Sequence, residues 1–123
     1  MEEKKKKISI VDDQAGVRRL LVELFKDDGY DTLVATNGFE AVDFVRKDPP
    51  DLVLLDMKMP GIDGVETLRQ IRQINQEIKV VMMTAYGELE LVQKSIALGA
   101  AEHITKPFDI NSLREKIKAN LAT

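Results

Sequence analysis

The sequence of 123 residues contains no cysteine, no long apolar run and no excess of positive charge. Without cysteine, a disulfide framework and a thiolate metal site are excluded, which fits a chain kept in a reducing compartment. Residues 1–10 carry four lysines but too few apolar residues for a signal peptide, and no other stretch is long enough to cross a membrane. We therefore expect a soluble, cytoplasmic protein that has no membrane partner.

The charge balance argues against a nucleic-acid partner. The chain has 18 basic and 21 acidic residues, a net charge of −3, so a phosphate backbone would be repelled rather than attracted. The lysines at 4–7 are expected to form a solvated N-terminal fringe, because short runs of like charge are common at the termini of soluble proteins.

The length and the alternation of apolar patterns predict one α/β domain. With 44% hydrophobic residues, the chain can enclose one sizeable core but has no room for a second domain. Short apolar runs alternate with segments of helical period, which predicts a parallel sheet with helices on both faces. We expect a flavodoxin-like doubly wound (βα)5 three-layer sandwich with strand order 2-1-3-4-5. Strands are predicted at 8–11, 32–36, 52–55, 78–84 and 101–105, and helices at 15–28, 38–47, after 64, at 88–98 and at 109–121.

The helical spacing also predicts which side chains face the core. In the first helix the stripe includes Leu20 and Leu21, of which at least one should be buried. In the fourth helix the predicted inward residues are Leu89, Val92 and Ile96. Gly29 and Gly99 are expected to end the first and fourth helices, and Asp109 to cap the start of the fifth.

Polar residues stand where the buried strands end. Because the carboxyl ends of parallel strands share one edge of the sheet, these residues should converge on one site. Acids held together repel one another unless a cation is present, and a hard divalent ion such as Mg²⁺, with Mn²⁺ as the alternative, suits oxygen ligands. The residues are Asp12, Asp13, Asp56, Thr84 and Lys106.

Taken singly, each of these residues has an ordinary structural explanation. Asp12 or Asp13 could cap the first helix, and Asp56 could begin a loop. Thr84 could simply end a strand, and Lys106 could be an exposed lysine in a turn before Pro107. Accidental polar residues would be scattered along both edges of the sheet. Their common position at the ligand-binding edge favours a site in which the acid ending the central strand attacks phosphorus.

Four segments of the sequence resemble the receiver domains of bacterial two-component response regulators. They are "VDD" at 11–13, "DLVLLDMKMPGIDG" at 51–64, "MTA" at 83–85 and "KPF" at 106–108. The resemblance implies that Asp56 accepts a phosphoryl group from a phosphohistidine. It also implies that Asp13 and Asp56 bind Mg²⁺ directly, that Asp12 acts through water, and that the backbone carbonyl of Lys58 completes the ligands.

The same resemblance implies roles for three further residues. Thr84 matches the hydroxyl that follows the phosphoryl group on activation, and Lys106 matches the lysine that pairs with a phosphoryl oxygen, with a cis peptide usual before Pro107. His103 stands where the family usually has an aromatic switch residue. Its odd offset from Lys106 along the strand predicts an outward position, away from the acids. Thr84 and His103 are thus the candidate switch residues.

Within the family, the segments "VDDQ", "MTAYGELE" and "KPFDI" resemble those of the intermediate response regulators of Bacillus-type sporulation phosphorelays. This implies a sensor histidine kinase and a histidine phosphotransferase as partners. We expect a single receiver domain over 1–123 without an output domain, because the chain stops just after its fifth helix, and a monomer, because no helix resembles a sustained coiled-coil seam. An aspartyl-phosphate phosphatase is a further implied partner. Ala15 stands where such relay proteins have a larger aromatic residue. The implied docking residues are Gln14, Gly16, Val17, Arg18, Leu20, Leu21, Tyr86, Pro107 and Phe108.

Other classes of function fit less well. A phosphohydrolase of the aspartyl-phosphate type usually has a second aspartate two residues after the nucleophile, but Lys58 stands there and supplies no carboxylate. Catalysis is therefore expected only of the chain's own phosphorylation and dephosphorylation, with Lys58 and Tyr86 placed to shape water access. A flavin site is disfavoured by the two acids in the first loop. A chemotaxis-type receiver that signals by docking remains open.

Overall fold

A computed structural model describes residues 5–85 and 87–122 of the chain. Its five parallel strands lie in the order β2-β1-β3-β4-β5, with one helix after each strand, which confirms the predicted fold. The strands are β1 (Lys7–Val11), β2 (Asp31–Ala35), β3 (Leu52–Asp56), β4 (Lys79–Thr84) and β5 (Glu102–Thr105). The helices are α1 (Ala15–Asp27), α2 (Gly38–Lys47), α3 (Gly64–Ile74), α4 (Leu89–Ala97) and α5 (Ile110–Leu121).

The central strand β3 is buried along its whole length. Its side chains alternate between two apolar cores, as the pleat of a strand requires. Val53 and Leu55 enter the core under α2 and α3, whereas Leu52 and Leu54 enter the core under α1 and α5. A continuous apolar run is therefore needed here, because both faces of the strand are covered.

Local capping explains where several helices begin and end. The side chains of Asn37, Asp63 and Asp109 accept hydrogen bonds from backbone N–H groups in the first turns of α2, α3 and α5. Gly29 and Gly99 have positive φ values of 88° and 97° just beyond α1 and α4, as predicted for the residues that end these helices.

The structure corrects the predicted inward face of α4. Leu89 and Ile96 are 67% and 55% exposed, whereas Ser95 is fully buried. Leu91 and Leu98 pack against the core in their place. The helix therefore presents the other of its two apolar stripes to the sheet, and the buried stripe includes a serine whose hydroxyl donates to the Val92 carbonyl.

The short edge strand β5 is covered by α5 through a lysine. The ammonium group of Lys116 donates to the backbone carbonyl of His103 at 3.2 Å and lies 3.5 Å from a carboxylate oxygen of Glu102. The outward backbone of β5 is therefore partly occupied within the chain. In residues 5–85 and 87–122, none of the helices is long and apolar enough to traverse a bilayer.

Candidate functional site

The register of the sheet places the first-loop acids beside the acid of the central strand. Val11 of β1 pairs with Leu55 of β3, so that Asp12 and Asp56 are the next residues on adjacent strands. Asp12, Asp13 and Asp56 each contribute a carboxylate oxygen to a group whose atoms all lie within 4.8 Å of one another. Asp12 and Asp56 are buried and Asp13 is exposed, so the cluster opens to solvent on one side.

Lys106 from the end of β5 brings a positive charge into this cluster. Its ammonium group lies 2.7 Å from an oxygen of Asp12 and 3.3 Å from an oxygen of Asp56. Lys106 precedes Pro107 through a cis peptide bond. One lysine against three carboxylates leaves the cluster with an excess of negative charge, which a bound cation would relieve.

The environment raises the pKa of Asp56 from its ordinary value of 3.8 to about 6. Burial is the main cause, the negative charges of Asp12 and then Asp13 add to it, and the attraction and hydrogen bond of Lys106 oppose it. For Lys106 itself, burial lowers the pKa, but its hydrogen bonds and attraction to the two acids outweigh burial and give a net increase. Asp56 is therefore more basic than an ordinary carboxylate, and Lys106 stays charged.

Both carboxylate oxygens of Asp12 already have partners within the chain. One accepts from the backbone N–H of Gln14 at 2.9 Å, and the other faces Lys106. The guanidinium of Arg18 also donates to the Asp12 carbonyl at 2.7 Å, which fixes the loop between β1 and α1. Asp12 is thus held in place by the protein, whereas Asp13 extends towards solvent.

A close backbone contact between Gly64 and the end of β3 supports Asp56. The first residue of α3, Gly64, donates its N–H to the Met57 carbonyl at 2.8 Å. A Cβ atom at this position would lie 2.5 Å from the Asp56 carbonyl oxygen and 2.8 Å from the Met57 Cα. Only glycine lets the helix approach the end of β3 so closely, so the loop "MPGIDG" helps to position Asp56.

An open cleft of about 270 Å³ lies beside Asp56. Thr84 is 2% exposed. Its hydroxyl points towards β5 and donates a long hydrogen bond of 3.4 Å to the Ile104 carbonyl. In this structure, therefore, the Thr84 hydroxyl is engaged away from the cleft. The cleft is lined by Asp13, Gln14, Asp56, Lys58, Ala85, Glu88 and Lys106.

The candidate switch and docking residues are not all equally accessible. His103 is exposed on β5 and does not line the cleft, in agreement with its predicted outward position. Gln14, Gly16 and Pro107 are exposed, Val17, Arg18 and Phe108 are half-buried, and Leu20 is 48% exposed.

The predicted docking role of Leu21 is wrong. Its side chain is 0% exposed and belongs to the core under α1 and α5, because it lies on the inward stripe of α1 beside Leu24 and Phe25. Tyr86, another predicted docking residue, lies outside the described residues.

Sequence reasoning missed two residues that line the cleft, Ala85 and the charged Glu88. The Glu88 carboxylate is only 6% exposed, accepts a hydrogen bond from the backbone N–H of Ala85 at 2.5 Å, and lies 3.2 Å from the ammonium group of Lys58. The signal in the sequence is a glutamate between β4 and α4, at the same sheet edge as the other acids. A glutamate just before a helix is too common to be distinguished on that ground alone.

The donor set fits a hard divalent cation. All the nearby negatively charged ligand atoms are carboxylate oxygens, and the exposed Asp13 leaves room for the water ligands that Mg²⁺ retains. The two engaged oxygens of Asp12 suit contact through water better than direct ligation.

The parallel five-stranded fold and an acid cluster with a facing lysine define a class of phosphoacceptor signalling protein. Residues 8–118 match the response regulator receiver domain, and the chain belongs to that family.

The particular relatives agree with this assignment. The chain is 54% identical over 115 residues to sporulation initiation phosphotransferase F of Bacillus subtilis (strain 168), an alignment covering 94% of this chain and 93% of that protein. A receiver domain protein of Methanospirillum hungatei superposes with a TM-score of 0.93 at 30% identity, covering 97% of this chain and 95% of that one. A putative response regulator of Chloroflexus aurantiacus gives a TM-score of 0.91 at 30% identity, covering 98% and 100%.

Proposed function

We propose that this chain is a phosphorelay intermediate that accepts a phosphoryl group on Asp56 from a histidine kinase and passes it to a histidine phosphotransferase. The observation that carries the proposal is the position of Asp56: it ends the buried central strand within 4.8 Å of two other carboxylates and 3.3 Å from Lys106. The similarity over nearly the full length to sporulation initiation phosphotransferase F supports a relay of the sporulation type.

The first transfer is a substitution at phosphorus. The Asp56 oxygen forms the new P–O bond, the P–N bond to the donor imidazole breaks, and the released ring nitrogen takes up a proton. In the metal-free chain a pKa of about 6 leaves Asp56 mostly ionised at neutral pH, so that its oxygen is available for attack. In the second transfer, a neutral imidazole of the phosphotransferase attacks the same phosphorus and Asp56 is the leaving group.

The charged residues around Asp56 have distinct tasks in this proposal. Lys106 lies near enough to Asp56 to pair with an oxygen of the incoming phosphoryl group. Asp13 and Asp56 would hold Mg²⁺ directly, Asp12 through water, and Lys58 through its backbone carbonyl. Mg²⁺, when bound, neutralises negative charge on the phosphoryl oxygens. The Thr84 hydroxyl must leave the Ile104 carbonyl in order to reach the phosphoryl group.

Labelling with a small phosphodonor tests the acceptor. We expect the chain to be phosphorylated by acetyl phosphate in the presence of Mg²⁺, and Asp56→Asn to abolish the labelling because an amide oxygen is a poor nucleophile. Asp31→Asn, which changes an exposed acid at the opposite edge of the sheet, is the matched control. Undiminished labelling of Asp56→Asn at the same site would disprove the assignment.

Transfer of the label tests the relay. When the phosphorylated chain is mixed with histidine phosphotransferases of its source, we expect the label to move to a partner histidine. Retention of the label with every phosphotransferase would favour a receiver that signals by docking.

A further inference from the structure

Glu88 is a buried carboxylate in the cleft beside Asp56, although the sequence alone assigns it no role. Its carboxylate is 6% exposed, and one of its oxygens accepts the Ala85 N–H at 2.5 Å. The other oxygen is fully buried and lies 3.2 Å from the Lys58 ammonium, without the geometry of a hydrogen bond. Half of this carboxylate is therefore held only by electrostatic attraction.

We propose that Glu88 is an internal substitute for the phosphoryl group: in the unphosphorylated chain it occupies donors that a phosphoryl group on Asp56 takes over, so that phosphorylation displaces it. This inference rests on the proposed function of Asp56. It makes Glu88 a positioning residue that couples the acceptor to the loop between β4 and α4.

The positions of the donors support this competition. The Ala85 N–H and the Lys58 ammonium, both engaged by Glu88, belong to residues that line the same cleft as Asp56. Two further donors at this edge are also engaged, because Lys106 faces Asp12 and Asp56, and the Thr84 hydroxyl lies against the Ile104 carbonyl. A new anion in the cleft that uses any of these donors therefore has to take them from groups that already hold them.

The relative strength of the two anions sets the direction of the exchange. A phosphoryl group carries about −1.5 to −2 charge and three strong acceptor oxygens, whereas a carboxylate carries one charge and two oxygens. The phosphoryl group should therefore bind the Ala85 N–H and the Lys58 ammonium more strongly than Glu88 does, and its charge would repel the Glu88 carboxylate. Once released, Glu88 regains hydration in solvent, which offsets the lost contacts.

The displacement has a direct path to α4. Glu88 is the residue that immediately precedes this helix, at its N-cap position. Ser95 is the one buried residue of α4, Leu91 is only partly buried against the core, and Leu89 and Ile96 are largely exposed, so no large apolar side chain of this helix is fully buried. Release of Glu88 should therefore change the position or the mobility of the first turn of α4.

Titration with beryllofluoride, a non-covalent phosphoryl analogue, tests the competition in the presence of Mg²⁺. We expect Glu88→Gln to bind it roughly three- to tenfold more tightly than the wild type, since a neutral amide competes less strongly for the donors than a carboxylate. Glu90→Gln, which removes an exposed charge from the first turn of α4, should bind like the wild type. Equal or weaker binding by folded Glu88→Gln would overturn the proposal.

The same titration separates this inference from the function on which it rests. If wild-type chain fails to bind beryllofluoride, or if Asp56→Asn binds it as tightly as the wild type, the role of Asp56 is wrong and the inference falls with it. If the wild type binds, Asp56→Asn does not, and Glu88→Gln shows no gain, only the role of Glu88 is wrong.

A measurement on the wild-type chain does not depend on whether a variant folds. In NMR spectra, beryllofluoride should shift both the Ala85 amide and the side-chain carboxyl carbon of Glu88, because the hydrogen bond between them breaks. An unchanged Glu88 carboxyl resonance under saturating beryllofluoride would show that Glu88 stays in place and would overturn the proposal.

Discussion

At the scale of single residues, Asp56 combines burial with a nearby excess of negative charge. Its pKa of about 6 in the folded chain exceeds the ordinary 3.8. Between these two values the folded state holds more protons than the unfolded state, so the metal-free protein loses stability as pH rises through this window. The nucleophile is thus maintained at a cost in folding free energy.

Replacing Asp56 should therefore stabilise the metal-free protein at neutral pH. In EDTA at pH 7.5, Asp56→Asn is expected to raise the free energy of unfolding by up to roughly 3 kcal/mol, since one pKa unit corresponds to about 1.4 kcal/mol. Near pH 4.5 the gain should shrink to about 1 kcal/mol or less, because the wild-type carboxyl is then largely protonated in the folded state. Urea unfolding at both pH values measures the difference.

The exposed acid Asp31 provides the comparison for this measurement. Asp31→Asn should leave stability nearly unchanged at either pH. A loss of stability in Asp56→Asn at pH 7.5, or a gain of the same size at both pH values, would contradict the raised pKa.

Asp13 differs from its neighbour Asp12 in being exposed to solvent. If Asp13 is a direct ligand, Asp13→Ala should weaken Mg²⁺ binding by roughly tenfold or more. Even the loss of a residue that only hydrogen-bonds to a metal ligand lowers metal affinity by roughly tenfold or more. Titration calorimetry with Mg²⁺ measures the effect, with Asp31→Ala as the control at the opposite edge. A Mg²⁺ affinity equal to that of the wild type would exclude Asp13 as a ligand.

At the scale of elements, the start of α3 is fixed against the end of β3 by Gly64. Gly64→Ala would bring a methyl group against backbone atoms of Asp56 and Met57 that cannot move aside as a flexible side chain would. We expect a loss of about 2 kcal/mol or more in the free energy of unfolding, together with slower phosphorylation of Asp56.

Gly16 in α1 is the matched control for this substitution. A Cβ atom at Gly16 meets nothing within 4 Å, so Gly16→Ala should be neutral or stabilising by up to about 1 kcal/mol. Equal stability changes in the two alanine variants would show that the close contact at Gly64 is not rigid.

The positions of the helices and strands could largely be predicted from the sequence, but the side of α4 that faces the core could not. Apart from the end of α3, for which no bound was predicted, the period of apolar residues places strands and helices within two residues of their observed bounds. In α4, however, two stripes have helical spacing, and the buried one contains Ser95. Hydrophobicity favours the stripe of Leu89 and Ile96, so only the tertiary packing could distinguish the two.

In the candidate site, too, some features could be predicted from the sequence and others could not. The convergence of the three aspartates and Lys106 follows from strand topology, which the alternating pattern predicts. The direction of the Thr84 hydroxyl and the burial of Glu88 depend on side-chain rotamers and on the course of a loop. No periodicity in the sequence specifies either of them.

At the scale of the whole molecule, one sheet separates two apolar cores. Leu54 and Leu55 are fully buried neighbours on β3 that enter opposite cores. We expect Leu54→Ala and Leu55→Ala each to cost about 2–5 kcal/mol. Because both cores share β3, each variant should still unfold in a single transition. Coincident loss of methyl NMR signals from both cores during urea unfolding checks this.

A surface leucine tests whether these costs come from burial. Leu89 is 67% exposed, and Leu89→Ala should change stability by less than about 1 kcal/mol. If one core lost its signals at lower urea than the other, the two sides of the sheet would be separate folding units.

The lysine that lies over β5 bears on how the protein behaves at high concentration. An open sheet edge presents unpaired backbone groups on which a strand from another molecule can form. At β5 the strand has only four residues, and the Lys116 ammonium already takes the His103 carbonyl. An incoming strand would have to displace the Lys116 ammonium from the His103 carbonyl. In this way α5 protects the β5 edge against pairing with strands of other molecules.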